Sequence, residues 1–78
     1  MKTLTKSSTP GRWQIGTGPD AHELSSGDLI AFDDGAGRVV NGRVEHDTQA
    51  GYFVTATDGR EFPLRELIAA RYKGSGQL

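Results

Sequence analysis

The fold is decided by residues 38–62, which read RVVNGRVEHDTQAGYFVTATDGREF. Arg38–His46 alternates apolar and polar residues over its middle, and Tyr52–Thr57 is rich in aromatic and β-branched residues. Both patterns are typical of β-strands, because successive side chains of a strand face opposite sides of the sheet. The stretch therefore predicts two neighbouring antiparallel strands.

Turn residues mark the ends of these strands. Asp47–Gly51 separates them, and Asp58-Gly59 is a two-residue hairpin signal that favours positive φ. Arg60–Phe62 is then expected to return antiparallel to residues 55–57. The three strands form one continuous meander.

Asn41-Gly42 allows two interpretations within the first of these strands. It is either a second hairpin turn or a glycine bend inside one long strand. We favour the bend, because Arg38–Val40 is too short to pair well alone. The even-numbered side chains from Val40 to Val44 then face the core, and the odd-numbered ones face solvent.

Upstream residues extend the pattern. Leu29–Phe32 is apolar at every position, as expected for a strand buried on both sides of a curved sheet. Asp33–Gly37 supplies turn residues before the next strand. Arg12–Ile15 is a shorter alternating piece near the beginning of the folded part.

The segment after Phe62 supports two interpretations. Leu64, Leu67 and Ile68 have the spacing of a helix face. Alternatively, residues 63–67 form a single 3₁₀ turn, and a closing strand follows over residues 68–72. A small barrel favours the turn and the strand.

Together these elements predict an all-β protein, a small SH3-like barrel of about five antiparallel strands with a short helical or 3₁₀ turn near the C-terminus. The barrel spans residues 12–72, between a flexible N-terminal tail (residues 1–11) and a flexible C-terminal tail (residues 73–78). Eleven glycines in 78 residues agree with many tight turns.

Composition excludes several classes of site. The 78 residues include no cysteine, so there is no disulfide framework, thiolate zinc site or cysteine nucleophile. No apolar run approaches the roughly 20 residues of a membrane span. No secretory signal is recognisable, which predicts a cytoplasmic protein. A domain this small must pack well or form a homo-oligomer that extends its core.

No catalytic or metal site is predicted from the polar residues, and no cofactor is expected. His22 and His46 are the only histidines, and no ligand spacing connects them. Ser25 and Ser26 precede a Gly-Asp turn, with no base marked to activate them. We therefore expect a binding protein rather than an enzyme.

Four of the seven candidate partner-binding residues are acidic or aromatic. Asp33 and Asp34 end a segment, residues 20–34, whose five carboxylates are either a binding face or solvated loop charges. Trp13, the sole tryptophan, is either a lid on a thin core or an interface anchor. Tyr52 offers either a stacking surface or a core ring.

The other three candidates are arginines. Arg38 and Arg43 are expected on one face of the long strand, with Arg60 near them. They would hold a phosphate backbone or an acidic partner. The alternative is cross-strand pairing with carboxylates such as Glu45 and Asp58. A net charge of −1 lacks the strongly basic footprint of most nucleic-acid binders.

Four short motifs resemble a family of small bacterial proteins of unknown function that are found on mobile elements. In chain order they are GRWQIG (residues 11–16), LSSGD (24–28), GRVE (42–45) and GYF (51–53). Val39 stands where that pattern has a tryptophan. The resemblance covers about residues 11–72 and implies a fold but no activity.

A weaker resemblance connects the chain with type II dihydrofolate reductase, a short SH3-like barrel that acts as a tetramer. Gly27-Asp28, Gly42–Val44 and Phe62–Leu67 are similar to its G-D, G-x-I-V and Y-P-V-x-x-L motifs. The pore run of that family, Val-Gln-Ile-Tyr, corresponds to Gly59–Phe62 here. Four copies of Glu61 would repel one another in such a pore, so the resemblance implies the fold and not the activity.

These features lead to one functional expectation and two alternatives. We expect a non-catalytic module that binds a protein and is encoded by a phage or other mobile element. Its acidic stretch would block a nucleic-acid-binding surface of a host defence complex. The alternatives are direct nucleic-acid binding through the three arginines, and a reductase-like tetrameric enzyme.

Overall fold

A computed structural model describes residues 1–75, and these form an antiparallel sheet of eight strands. The strands are β1 (Lys2–Lys6), β2 (Trp13–Ile15), β3 (His22–Glu23), β4 (Asp28–Asp33), β5 (Val39–Asp47), β6 (Gly51–Ala56), β7 (Glu61–Pro63) and β8 (Ala69–Ser75). Two 3₁₀ turns, Gly18–Asp20 and Leu64–Glu66, are the only helical elements of the described part. Neither is long or apolar enough to cross a membrane.

The strands lie in the order β3-β2-β1-β8-β4-β5-β6-β7. The all-β prediction is confirmed. The expected number of about five strands is too low, because residues 1–75 contain eight. Within those residues β3 and β7 each pair on one side only, so hydrogen bonds do not close the sheet.

The predicted N-terminal tail is wrong for its first half. Residues 2–6 form β1, which pairs with β2 on one side and β8 on the other. Leu4 lies opposite Ile15, and only 6% of its surface is exposed. One apolar residue between threonines is too weak a pattern to indicate a strand. Residues 2–6 form a strand because they pair with both β2 and β8.

The predicted C-terminal tail is likewise too long. β8 continues to Ser75 because residues 74 and 75 pair with the beginning of β4. Residues 76–78, the rest of that predicted tail, lie outside the described residues.

The interpretation of Asn41-Gly42 as a bend is confirmed. β5 is continuous through Gly42, which lies opposite Ala56 of β6. Val44 and Val54, a cross-strand pair on the core side, are fully buried. The alternation predicted for β5 therefore holds.

The hairpin at Asp58-Gly59 is confirmed, but its turn is longer than predicted. The Ala56 N–H donates to the Arg60 carbonyl at 2.7 Å, and the Gly59 N–H donates to the Ala56 carbonyl at 2.9 Å. Gly59 has a φ of 92°, whereas Asp58 does not have positive φ. Three residues therefore connect the ladder, and glycine alone takes the left-handed conformation.

The turn-plus-strand interpretation of the C-terminal segment is confirmed, and the helix is wrong. Leu64 and Leu67 are buried, but Ile68 is 68% exposed. A helix face would have buried all three. The segment instead forms a single 3₁₀ turn, in which Leu64 is buried in the core.

The core is formed by side chains from several strands and from the connections between them. Its fully buried large side chains are Phe32, Leu24, Ile30, Leu64, Val44 and Val54. The Phe32 and Phe62 rings meet edge to face, with centroids 5.2 Å apart. These buried residues come from β4, β5 and β6 and from the connections after β3 and β7. Because side chains alternate along a strand, the residues between them on the strands face outward.

Candidate functional site

Trp13 and Tyr52 are packed against the core rather than exposed as anchors. The Arg12 guanidinium lies 5.0 Å from the Tyr52 ring centre and donates to the Leu24 carbonyl at 2.8 Å. The cation, the ring and the carbonyl together hold the β1–β2 connection on the core. Both aromatic candidates therefore contribute to the fold.

Asp33 and Asp34 hold the loop between β4 and β5. The Asp33 carboxylate accepts from the Gly35 N–H at 2.8 Å. The Asp34 carboxylate accepts from Ala36 at 2.8 Å and from the Arg38 N–H at 3.2 Å. Asp side chains of this kind stabilise tight turns. The two carboxylates are turn formers, whatever else they bind.

Hydrogen bonds lower the pKa of four carboxylates. In Asp34, Asp47 and Asp58 the main cause is donation from a nearby backbone N–H of the same turn. In Glu23 the main cause is the hydroxyl of Ser7, which donates to its carboxylate. All four groups are therefore ionised more readily in the folded protein than in the unfolded chain.

The protein is expected to lose stability in acid because of these four groups. A lowered carboxyl pKa adds stability above the ordinary values of 3.8 and 4.5, and this stability is lost as the pH falls through the lower folded values. Thermal unfolding followed by circular dichroism should show the midpoint falling below about pH 4. Asp34→Asn keeps an acceptor oxygen but cannot titrate, so its curve should fall less. An equal fall in the variant would contradict the assignment.

Arg38 and Arg60, but not Arg43, lie near one carboxylate: the pKa of Asp34 is lowered mainly by the Ala36 N–H and also by the charges of these two arginines. Arg38 lies in the loop before β5, five residues from Arg43, which corresponds to about 16 Å of extended chain. Arg60 donates to Asp58 at 2.8 Å and lies over the Phe62 ring. The expected placement of Arg38 and Arg43 together is wrong, because the strand begins one residue after Arg38. Arg60 pairs with Asp58, a carboxylate named in the alternative above, but the pair lies within one turn and not across two strands.

Arg43 instead lies in a shallow depression on the sheet face turned away from the core. We call this depression the outer cup. It has a volume of about 330 Å³. Its lining residues are Leu29, Ile30, Asn41, Gly42, Arg43, Thr55, Thr57 and Lys73. The register places Leu29, Arg43 and Thr55 side by side across β4, β5 and β6.

Lys73 reaches the outer cup because of a β-bulge. Leu29 pairs with Gly74 and Ile30 pairs with Tyr72, so Lys73 is the extra residue of β8. Bulges re-aim side chains in this way. The Lys73 ammonium donates to the Asn41 side-chain oxygen at 2.8 Å, which holds it beside the cup. Sequence reasoning missed Lys73, because residue 73 was assigned to a tail.

Two cations of the outer cup have no carboxylate partner in the described part of the chain. Ion pairs are found at Arg12–Glu23, His22–Asp28, Arg60–Asp58 and Arg65–Glu66, and none involves Arg43 or Lys73. Leu29 adds an apolar side chain that is 38% exposed. The cup therefore offers positive charge beside an apolar surface.

Carboxylates flank the outer cup at its far side. Glu45 follows Arg43 by two positions on the same face of β5, and it accepts a hydrogen bond from the Thr55 hydroxyl. Glu61 lies opposite Thr55 on β7. The basic region is consequently small, and it suits a single anionic group.

A second concave region lies at the edge of β8, and sequence reasoning missed it as well. We call it the β8 slot. Its volume is about 360 Å³. It is lined by Met1, Lys2, Ile15, Asp20, His22, Ala70, Arg71 and Tyr72. No sequence motif marks this slot, because its lining comes from four separate chain segments.

His22 is held rigidly at this slot. Its Nε2 lies 3.2 Å from the buried Asp28 carboxylate, which also accepts from the Ser25 N–H at 2.9 Å. Its ring stacks on Tyr72, with centroids 3.9 Å apart. Within residues 1–75, no three histidine or carboxylate groups are placed to share a metal ion. The buried carboxylate orients the ring.

Comparison with protein-family models, with curated proteins and with solved structures finds no match to this chain. The two resemblances described above therefore stay predictions. The outer cup and the β8 slot are the features on which a function can be argued.

Proposed function

We propose that this protein is a non-catalytic binding module that holds an acidic segment of a protein partner in the outer cup. The observation that carries the proposal is the pair of cations, Arg43 and Lys73, without carboxylate partners among the described residues. Unpaired cations in one concave patch favour an anionic ligand.

The chemistry of the cup suits a carboxylate next to an apolar side chain. A guanidinium can donate two parallel hydrogen bonds to a carboxylate, which fixes its orientation. Lys73 supplies a second charge at a position set by Asn41. Leu29 provides apolar contact beside them. Such a mixture is usual where proteins bind short segments of other proteins.

A protein partner is favoured over nucleic acid by the carboxylates around the cup. Glu45 follows Arg43 by two positions on β5, and Glu61 lies on β7, two strands away from Arg43. A nucleic-acid backbone carries regularly repeated phosphates and needs a continuous basic surface. Here a repeated anion would meet like charge just beyond the cup.

We also propose that β4 to β8 form an SH3-like unit, which is smaller than the barrel of residues 12–72 expected from the sequence. Two observations support this assignment. The five strands are antiparallel and lie in the order β8-β4-β5-β6-β7, and a 3₁₀ turn precedes β8 along the chain. β1, β2 and β3 are added at its β8 edge. Encoding by a mobile element and action on a host defence complex stay predictions.

Selection from a random peptide display library tests the proposed function. Peptides that bind the wild-type protein are expected to be enriched in Asp and Glu beside apolar residues. Arg43→Gln should weaken a selected peptide about tenfold, because a charge-assisted hydrogen bond contributes roughly 1.5–3 kcal/mol.

Arg65→Gln is the matched control, because Arg65 is exposed on the 3₁₀ turn away from the cup. It should leave the affinity unchanged. Acidic enrichment that survives Arg43→Gln would contradict the proposal. Tighter binding to a duplex oligonucleotide, with a steep dependence on salt, would support the nucleic-acid alternative instead.

A further inference from the structure

Strand β1 covers only part of the edge of β8. Lys2, the first residue of β1, lies opposite Ala70, whereas β8 continues to Ser75. In the described part of the chain, no strand lies beside β8 beyond this point on the β1 side. The β8 slot is the space left in line with β1.

The backbone of Tyr72 faces this space. The Leu4 N–H donates to the Ile68 carbonyl at 2.8 Å, so the backbone groups of Ile68 point towards β1. Backbone groups of a strand alternate sides at successive residues. Those of Ala70 and Tyr72 therefore point the same way. Ala70 meets Lys2, but Tyr72 has no strand residue opposite it.

The slot lies in the gap between β2 and β8 that β1 fills farther along the sheet. β1 lies between β2 and β8, and the slot continues the same gap. Ile15, Asp20 and His22 line it across from β8. A strand that belongs to a second sheet would bring a neighbouring strand into collision with β2 and β3. A single extended peptide has no such neighbour, so a second copy of this sheet does not fit.

The stacked rings restrict which residue can lie opposite Tyr72. His22 pairs with the buried Ile15, so its side chain is on the core side of the sheet. Its ring crosses beneath the gap and meets Tyr72 at 3.9 Å. A residue placed opposite Tyr72 would direct its side chain to the same side. The imidazole already occupies that space, so only a small residue fits.

We propose that the β8 slot binds an extended segment of a protein partner, antiparallel to β8, with a small residue opposite Tyr72. The segment would exchange main-chain hydrogen bonds with Tyr72, as in strand addition to an exposed sheet edge. Two cations, Lys2 and Arg71, line the slot with one carboxylate, Asp20, so acidic flanking residues are favoured. This site uses neither Arg43 nor Lys73 and does not depend on the outer cup.

Capped peptides test the slot directly in the full chain. The probes are pentapeptides of threonine and glutamate whose central residue is glycine, N-methylglycine or phenylalanine. The glycine peptide should slow amide hydrogen exchange at Tyr72. It should bind about five- to tenfold more tightly than the N-methylglycine peptide, which lacks one main-chain donor. The phenylalanine peptide should bind as weakly as the methylated one.

Removing the imidazole should reduce or remove the selectivity against phenylalanine. In His22→Ala the space below the gap is open, so the phenylalanine peptide should gain about fivefold or more, in line with burial of an aromatic side chain. Arg43→Gln, the variant that tests the outer cup, should change none of these affinities. The two proposals therefore fail independently.

Two results would overturn the inference. One is unchanged exchange at Tyr72 with saturating glycine peptide. The other is equal binding of the glycine and N-methylglycine peptides, which needs no protein variant and is therefore free of folding effects. A second arm appends Thr-Glu-Gly before Met1. This extension should fill the slot and abolish peptide binding, whereas an extension of three prolines, which lack the N–H donor, should not.

Discussion

Gly42→Ala is expected to destabilise the protein by about 3 kcal/mol, at the upper end of the usual cost of overpacking a core. A Cβ atom at this position would lie 2.6 Å from Val54 Cγ2 and 2.8 Å from the Thr55 carbonyl oxygen. The second contact is with backbone, which cannot move without breaking the pairing of β5 with β6. A native stability of roughly 4–12 kcal/mol would be reduced by a large fraction.

Urea unfolding followed by tryptophan fluorescence measures this effect. Gly37→Ala is the matched control: Gly37 has a φ of 85° but open space around its Cβ position. Its cost should be about 1 kcal/mol, the cost of a left-handed conformation alone. If Gly42→Ala costs no more than Gly37→Ala, the close approach of β5 and β6 is wrong.

Removing residues 1–8 is expected to abolish cooperative folding. The deletion takes out β1, which lies between β2 and β8, and with it Leu4, which lies opposite the core residue Ile15. A small domain has little core to lose. The truncated chain should show a poorly dispersed amide spectrum and no cooperative thermal transition.

A pair of point variants measures the same contribution in the intact chain. Leu4→Ala should cost about 3 kcal/mol, as is usual for a buried leucine. Thr3→Ala changes an exposed neighbour in β1 and should cost less than about 0.5 kcal/mol. A truncated protein that melts at the wild-type midpoint would show that β1 is dispensable and that the tail prediction was right.

The outer cup could be predicted only in part from the sequence. Arg43 was a candidate, because alternation along β5 placed it on the solvent side. Lys73 was not, because its position depends on a bulge in the pairing of β8 with β4. A bulge is a property of two strands together, and no local pattern in residues 69–75 indicates it. Leu29 looked like a core residue because its whole run is apolar.

The β8 slot could not be predicted at all. His22 and Asp28 are close along the chain, but Tyr72 lies far from both, and each residue has an ordinary local interpretation. Their contacts follow from strand order, which places β2 and β8 on the two sides of β1 and β3 beside β2. The orientation of His22 then depends on a carboxylate that is buried only once the sheet has formed.

The sequence by itself determined the strands of the β4 to β7 meander and the positions of its turns, and it favoured the bend at Gly42 and the 3₁₀ turn before the last strand over their alternatives. Alternation, turn chemistry and glycine conformation act over a few residues, so they can be read from neighbours in the chain. Tertiary structure alone decided that residues 2–6 are a strand, that Lys73 joins Arg43, and that Tyr72 faces an open edge. These outcomes depend on contacts between distant segments, where burial and pairing outweigh weak local preference.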